Sequence, residues 1–474
     1  MRSVKNVLDR SQNRVVIMGG GPGGYEAALI GAQLGADVML IERDRCGGSA
    51  VLTDVVPSKS LIATAEVMGT IHDAGAFGLR VRGGESETPV APDLAAMNER
   101  ILGLANAQAD DIHSGLVRAG VKVVKGTATL VDRGTVHVEE PSGTEYDLTA
   151  DTVLVSVGAH PRELPTAVPD GERILTWTQL YALDELPPHL VVVGSGVTGA
   201  EFASAYCALG SEVTLVSSRD RVLPGEDEDA AEVLEGVFRS RGMNVLSRSR
   251  ADSVERDGDG VVVTLADGRI VRASHCLMAV GSIPNTDGIG LDQAGVAVQE
   301  SGHIVVDGVS RTSVPGVYAS GDCTAVLPLA SVAAMQGRIA MFHALGDAVF
   351  PLRLRNVASN VFTAPEIATV GFTQADFREN AYEVETVTQP LHTNARAKML
   401  GITEGFVKIF CRRGSGSVLG GVVVGPRASD LILPITMAVE NRLTVDQLAQ
   451  SFVVYPSLTG SLTEAARKLH HHQA

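Results

Sequence analysis

Apolar positions along the chain gather in short runs, split by glycine-rich turns and by small-residue helices. Residues 14–19 (RVVIMG) form an apolar run that predicts a strand. A Gly-rich turn follows, then YEAALIGAQLG, whose apolar, Ala-rich make-up predicts a helix. ADVMLIE supplies a second strand, so the opening reads as a βαβ unit. The same grammar returns near residue 190: LVVVG, the turn SGVTG, the helix AEFASAYCALG and the strand SEVTLV. Two widely separated copies make a duplicated module rather than a solenoid period.

Between the copies the pattern predicts a long helical stretch over about 58–118 and a strand-rich segment over about 121–157. A third segment, IVVDGVSRTSVPGVYASGD, occupies 304–322. From about 351 the character changes. FVKIF and SVLGGVVVG read as strands joined by a GSG turn, and LILPITMAVENRL and VDQLAQSF read as helices. The expected fold class is α/β: two Rossmann-like dinucleotide-binding domains plus a C-terminal α+β domain.

Composition supports this and narrows the partners. The 474 residues suffice for two to four domains, and 45% apolar with 20% charged residues describes a globular chain. A net charge of −16 repels phosphate backbones, so nucleic acid is not an expected partner. No uninterrupted apolar stretch reaches the ~18 residues of a spanning helix. The first residues are polar, and the run Val15 to Met18 is too short for a leader, so a cytoplasmic location is expected. The five cysteines (Cys46, Cys207, Cys276, Cys323, Cys411) are far apart, which predicts buried, reduced thiols. The His470-His471-His472 run reads as a frayed tail, and no metal site is expected.

The two turns carry the chemistry. Gly19, Gly21 and Gly24 give the spacing G-x-G-x-x-G between a strand and a helix. The first glycine permits the turn, the second lets backbone approach a pyrophosphate, and the third lets helix and sheet pack closely. Glu42 closes the second strand, where a carboxylate can accept from a ribose diol. Gly194, Gly196 and Gly199 repeat the spacing, but here Ser217, Ser218 and Arg219 follow the second strand, with Arg221 close behind. Hydroxyls and a guanidinium suit a 2′-phosphate, which an acid would repel, so NADPH is expected to be accepted beside NADH.

Further motifs fall in a fixed order: Gly47-Gly48, Pro57-Ser58-Lys59, SVGAHP at 156–161, Glu201 after the second turn, YASGD at 318–322, FTAPEIATVGFT at 362–373 and GFVKIF at 405–410. Over nearly the whole chain this order resembles the flavoprotein disulfide reductases of the lipoamide dehydrogenase type. The resemblance implies FAD and NAD(P)H as cofactors and a homodimer. It implies an FAD-binding segment at 1–157, an NAD(P)H-binding segment at 158–282, a return to the FAD domain at 283–350 and an interface domain at 351–474. It makes Gly48, Gly158 and Gly281 cofactor-lining turns and sets Asp322 on the ribityl chain of the flavin. It pairs Lys59 with Glu201 beside the reactive end of that ring, where a cation favours the reduced form. It also places Val197 where nicotinamide access is gated, although ordinary packing explains a valine there equally well.

Two departures redirect the expected reaction. Ala50 and Val55 stand at the positions of the family's two redox cysteines, so no mixed disulfide can form there. Near the end, Tyr455 stands for the family's histidine base and Gly460 for its orienting glutamate. A tyrosine titrates near ~10 and is a poor base at neutral pH, but it can donate a hydrogen bond. The expected activity is that of an NAD(P)H:quinone reductase, with Lys59, Glu201 and Tyr455 as catalytic candidates. Soluble pyridine nucleotide transhydrogenase is the nearest alternative, and a non-catalytic FAD-binding interaction protein is an alternative of another class. The resemblance further implies that Tyr455 acts across a dimer.

Overall fold

A computed structural model describes residues 13–79, 90–379 and 383–470. The polar N-terminal stretch read above and residues 471 and 472 of the histidine run lie outside these. The chain divides into two compact units: one of residues 13–57, 102–160 and 282–352, the other of residues 58–101, 161–281 and 353–474, within the described residues.

In the first unit, strands Val317–Ala319, Thr152–Val155, Arg14–Met18, Asp37–Glu42 and Lys122–Lys125 form, in that order, a parallel sheet. Val15, Val16, Ile17 and Met18 are all buried, as expected of a parallel strand covered on both faces. Helix Pro22–Gln33 makes the crossover, and helix Ala330–Ala344 packs against it. That packing is close because both helices offer glycine: a β-carbon on Gly337 would collide with the backbone of Gly23. An antiparallel meander, Thr127–Asp132, Thr135–Glu139 and Glu145–Thr149, accounts for most of the strand-rich segment.

The second unit repeats the architecture. Strands Asn244–Leu246, Glu212–Val216, His189–Val193, His275–Met278 and Ile174–Thr176 form a parallel sheet, with helix Val197–Leu209 as the crossover. A second sheet, antiparallel, runs Ser359–Val361, Glu366–Gly371, Val418–Gly425, Phe406–Arg412 and Val384–Pro390. One face of it packs under the C-terminal helices, with Val423, Ile435, Ala438 and Leu462 among the buried residues. The other contributes Val361, Ile367, Phe410 and Val422 to one apolar core with Phe202, Tyr206 and Leu215.

The structure corrects the reading of 58–118 as one helical stretch. Helix Val55–His72 begins before Pro57, a 3-10 turn follows at Asp73–Phe77, and a separate helix spans Leu94–Arg118. Proline is tolerated in a first turn because an N–H there would have no intrahelical acceptor. Segment 304–322 contains a single strand, Val317–Ala319, since its apolar residues alternate with turns. Among the described residues no helix is long and apolar enough to cross a membrane.

Candidate active site

The first G-x-G-x-x-G turn has three glycines for three different reasons. Gly19 has φ +100°, a region that side chains resist. A β-carbon on Gly24 would strike the carbonyl oxygen of Gly19. At Gly21 a β-carbon would meet no protein atom within 4 Å, so nothing in the chain itself requires glycine there. The space over Gly21 is what a pyrophosphate needs, at the end of a helix whose first turn has neither a side-chain cap nor an acid. Gly48 closes in on the same turn, its β-carbon position lying 2.9 Å from the Cα of Gly21.

Two carboxylates flank this cradle. Glu42 accepts from the N–H of Gly20 at 2.7 Å and of Asp44 at 2.8 Å, one on each oxygen. Those bonds fix the carboxylate at the strand end, and each oxygen retains lone-pair capacity for a ribose hydroxyl. Asp322 follows the turn at Gly321, which Gln336 holds by accepting the Gly321 N–H at 2.9 Å. Burial pushes the Asp322 carboxyl up from the usual carboxylate range. It makes no hydrogen bond or ion pair among the described residues. A half-buried acid lacking donors fits a ligand rich in hydroxyls, as the ribityl chain is. The residues present therefore fit FAD. Gly158 sits at φ +67° in the same unit, and its carbonyl accepts from Asn285 N–H at 3.0 Å.

The second turn reproduces the logic. Gly194 has φ +114°, a β-carbon on Gly199 would strike the Gly194 carbonyl, and one on Gly196 would meet nothing within 4 Å. Helix Val197–Leu209 likewise starts with no side-chain cap and no acid in its first turn. Val197 is half-exposed at that start. The structure alters the reading of the strand end. Ser217 is fully buried; its hydroxyl meets Ser195 Oγ at 2.6 Å and accepts the Arg219 N–H at 3.1 Å. It shapes the turn and cannot reach a ligand. Arg221 pairs with Glu228 at 2.9 Å, while Ser218 and Arg219 remain exposed. Gly281, at φ +95°, ends the segment after strand His275–Met278. The open cradle and the exposed cation fit NAD(P)H.

Lys59 and Glu201 are brought together from helices far apart in sequence. Lys59 Nζ lies 2.7 Å from Glu201 Oε2. Glu201 is buried in the first turns of Val197–Leu209, among Ala200, Phe202 and Ala203. Its other oxygen accepts the backbone N–H of Phe362 at 2.8 Å, and the Phe362 ring lies under the Lys59 ammonium, 5.0 Å from Nζ to centroid. One helical turn on, Ser204 Oγ accepts the Ala364 N–H at 3.2 Å. The segment 362–364 thus clamps the helix at two points. Phe362 was missed as a site residue, because a backbone donor leaves no trace in residue type. Both charges are satisfied, as a pair this shielded from water requires.

Tyr455 makes no hydrogen bond to either member of this pair. It is 85% exposed and makes no hydrogen bond among the described residues, in a stretch where Phe452 and Val454 are also exposed. Gly460 opens helix Gly460–Lys468, and its β-carbon position lies in ordinary contact, 3.7 Å from Asn394 Nδ2, so a β-carbon would fit. None of the five cysteines is disulfide-bonded. Four are buried, as expected, but Cys207 is only half-buried, packed at the edge of an apolar core. Burial pushes the Cys46 thiol up to about 11, which leaves it unreactive at neutral pH.

The family profile described as pyridine nucleotide-disulphide oxidoreductase matches residues 13–337, and that of the family's dimerisation domain matches residues 357–466. The chain belongs to the pyridine nucleotide-disulphide oxidoreductases. These are enzymes that use FAD and NAD(P)H. The chain is 52% identical to the NAD(P)H dehydrogenase (quinone) of Mycobacterium tuberculosis, covering 97% of this chain and 94% of that protein. It is 33% identical to the dihydrolipoyl dehydrogenase of Zymomonas mobilis, covering 95% and 96% respectively. The crystal structure of LpdA from Mycobacterium tuberculosis superposes with a TM-score of 0.92 over 97% of this chain and 100% of that one, at 52% identity.

Proposed function

We propose that the protein is an FAD-dependent NAD(P)H:quinone oxidoreductase that works without a dithiol relay. The observation that carries this reading is the combination of two complete dinucleotide cradles with Ala50 and Val55 where a redox cysteine pair would stand. FAD, when bound, supplies the relay that accepts hydride from NAD(P)H and releases electrons to the acceptor. The chain's own residues bind and orient. Gly19, Gly21, Gly24, Gly48, Glu42, Gly158 and Asp322 hold FAD; Gly194, Gly196, Gly199, Gly281, Ser218 and Arg219 hold NAD(P)H. Lys59, fixed by Glu201, offers a positive charge to the reactive end of the flavin, where charge develops on reduction. The relative at 52% identity is named for quinone reduction, which supports the same acceptor class here.

In this reading the functional segments are 1–157 and 283–350 for FAD, 158–282 for NAD(P)H and 351–474 for a two-fold homodimer. The exposed run ending in Tyr455 then meets the partner subunit, and the phenol donates to the acceptor's oxygen. The cytoplasm is the compartment proposed.

Anaerobic mixing of the FAD-loaded protein with NADPH, followed by quinones, NAD+ and disulfides in parallel, tests the reading. Rapid bleaching at the flavin band and reoxidation by quinones are expected. Faster reoxidation by NAD+ than by any quinone would assign a transhydrogenase instead. Turnover of a disulfide matching that of quinones would overturn the proposal.

A further inference from the structure

At the carboxyl end of the second parallel sheet, two loops are stitched together through their backbones. Strand Glu212–Val216 pairs with Asn244–Leu246, and the pairing continues past both strands. Ser217 N–H donates to the Leu246 carbonyl at 2.9 Å, Ser249 N–H to the Ser217 carbonyl at 2.7 Å, and Arg248 N–H to the Arg219 carbonyl at 2.8 Å. Arg248 takes a left-handed backbone, φ +52°, a conformation that a β-carbon resists. Both loops follow strand ends where open α/β sheets bind nucleotides.

The groups offered at this edge are few. Ser217 is buried and Arg221 is held by Glu228. Ser218, Arg219, Asp220 and Arg248 are exposed. Asp220, next to Arg219, would oppose that arginine's attraction for a phosphate. Arg248 answers it: its Nε lies 2.8 Å from Asp220 Oδ1. With Nε so engaged, the terminal nitrogens of the same guanidinium keep their N–H groups for another anion.

We propose that Arg248 is a selectivity residue for the 2′-phosphate of NADPH: it neutralises Asp220 and presents a second guanidinium beside Arg219. The inference rests on the reading of the second cradle as an NAD(P)H site and is independent of the electron acceptor. Loop 246–249 belongs to a different strand from the one that follows the glycine-rich turn and its helix, so the fingerprint alone does not point to it.

Isothermal titration of the FAD-loaded protein with 2′,5′-ADP and with 5′-AMP tests it, the two probes differing only by the 2′-phosphate. Arg248→Gly removes the guanidinium where glycine is the favoured residue, so the backbone is relieved rather than strained. It is expected to weaken 2′,5′-ADP about tenfold and 5′-AMP less than about twofold, with a shallower salt dependence for 2′,5′-ADP. Adding Asp220→Asn to that variant is expected to recover about threefold of the loss, because the uncompensated carboxylate is then gone. Arg248→Lys should fall between wild type and Arg248→Gly, since a point charge replaces a planar fork. Unchanged 2′,5′-ADP binding in Arg248→Gly, or equal weakening of both probes with the flavin spectrum intact, would overturn the proposal. No acceptor enters these titrations, so failed quinone turnover and failed selectivity are separately visible.

Discussion

Phe362 donates its backbone N–H to Glu201 at 2.8 Å, on the carboxylate oxygen that Lys59 leaves open. The C-terminal part of the chain thereby fixes a charge pair that the N-terminal part provides the cation for. Glu201→Gln keeps an acceptor for Phe362 but removes the charge; Glu201→Leu removes both. We expect Glu201→Leu to be less stable than Glu201→Gln by roughly 1–3 kcal/mol, the cost of a stranded buried donor, in urea unfolding. Both variants should slow flavin reduction by NADPH at least about tenfold in stopped flow, equivalent to about 1.4 kcal/mol of barrier. Equal unfolding midpoints for the two would show that the Phe362 bond contributes nothing.

Glycine substitutions should separate folding from cofactor binding. A β-carbon on Gly196 meets nothing within 4 Å, so Gly196→Ala should leave the melting temperature of the NAD(P)H-free protein and its FAD content unchanged. Its affinity for NADPH should fall about tenfold or more, since a methyl then occupies pyrophosphate space, a loss of ~1.4 kcal/mol or more. Gly199→Ala, by contrast, forces a collision with the Gly194 carbonyl and should lower the melting temperature as well. Undiminished NADPH affinity in Gly196→Ala would refute the assignment of that cradle.

Lys408 is fully buried, with Nζ 2.6 Å from both Asp227 Oδ1 and Asp229 Oδ2. Asp227 also caps helix Glu228–Ser240 by accepting the Ala230 N–H at 3.2 Å. Removing one partner strands the other charge, so Lys408→Met should cost about 3–5 kcal/mol in chemical denaturation. Lys408→Met combined with Asp227→Asn should recover part of that loss. A single variant as stable as wild type would show that this buried ion pair contributes nothing to stability.

His275 is buried and accepts a hydrogen bond at Nε2 from Arg173 at 3.0 Å. Burial, with the neighbouring guanidinium second, lowers its pKa to about 4. The unfolded chain binds the proton more readily, near the ordinary ~6.5, so this group's contribution is complete above that pH. It is lost as pH falls from about 6.5 through 4, by roughly 3 kcal/mol in all. His275→Gln, which retains an acceptor, should flatten the fall in stability between pH 7 and pH 5. An unchanged slope would place the acid sensitivity elsewhere.

Restoring the cysteines should not restore disulfide chemistry. Ala50→Cys with Val55→Cys supplies two thiols, yet Tyr455 and Gly460 still stand where a histidine base and its glutamate would be needed. No turnover of lipoamide or glutathione disulfide above background is expected in a coupled NADPH assay. Turnover by the double variant would show that the base is dispensable.

Both βαβ units and their glycines were legible because the phosphate-binding turn is local: strand, turn and helix follow one another within a few residues, and period and residue type report them directly. The hairpin of Phe406–Arg412 and Val418–Gly425 was legible for the same reason. Helix boundaries around Pro57 were not, since a proline inside a first turn and one just before it look alike in sequence. The role of Ser217 was decided by tertiary structure, because burial against Ser195 depends on how two strand ends meet. So was that of Phe362, whose contribution is a backbone N–H that every residue but proline carries. Sequence alone determined that positions 50 and 55 hold alanine and valine, neither of which carries a sulfur in any fold. Only the tertiary structure decided which charges are paired and which remain open to a ligand, because pairing is set by distances between residues that the chain order keeps far apart.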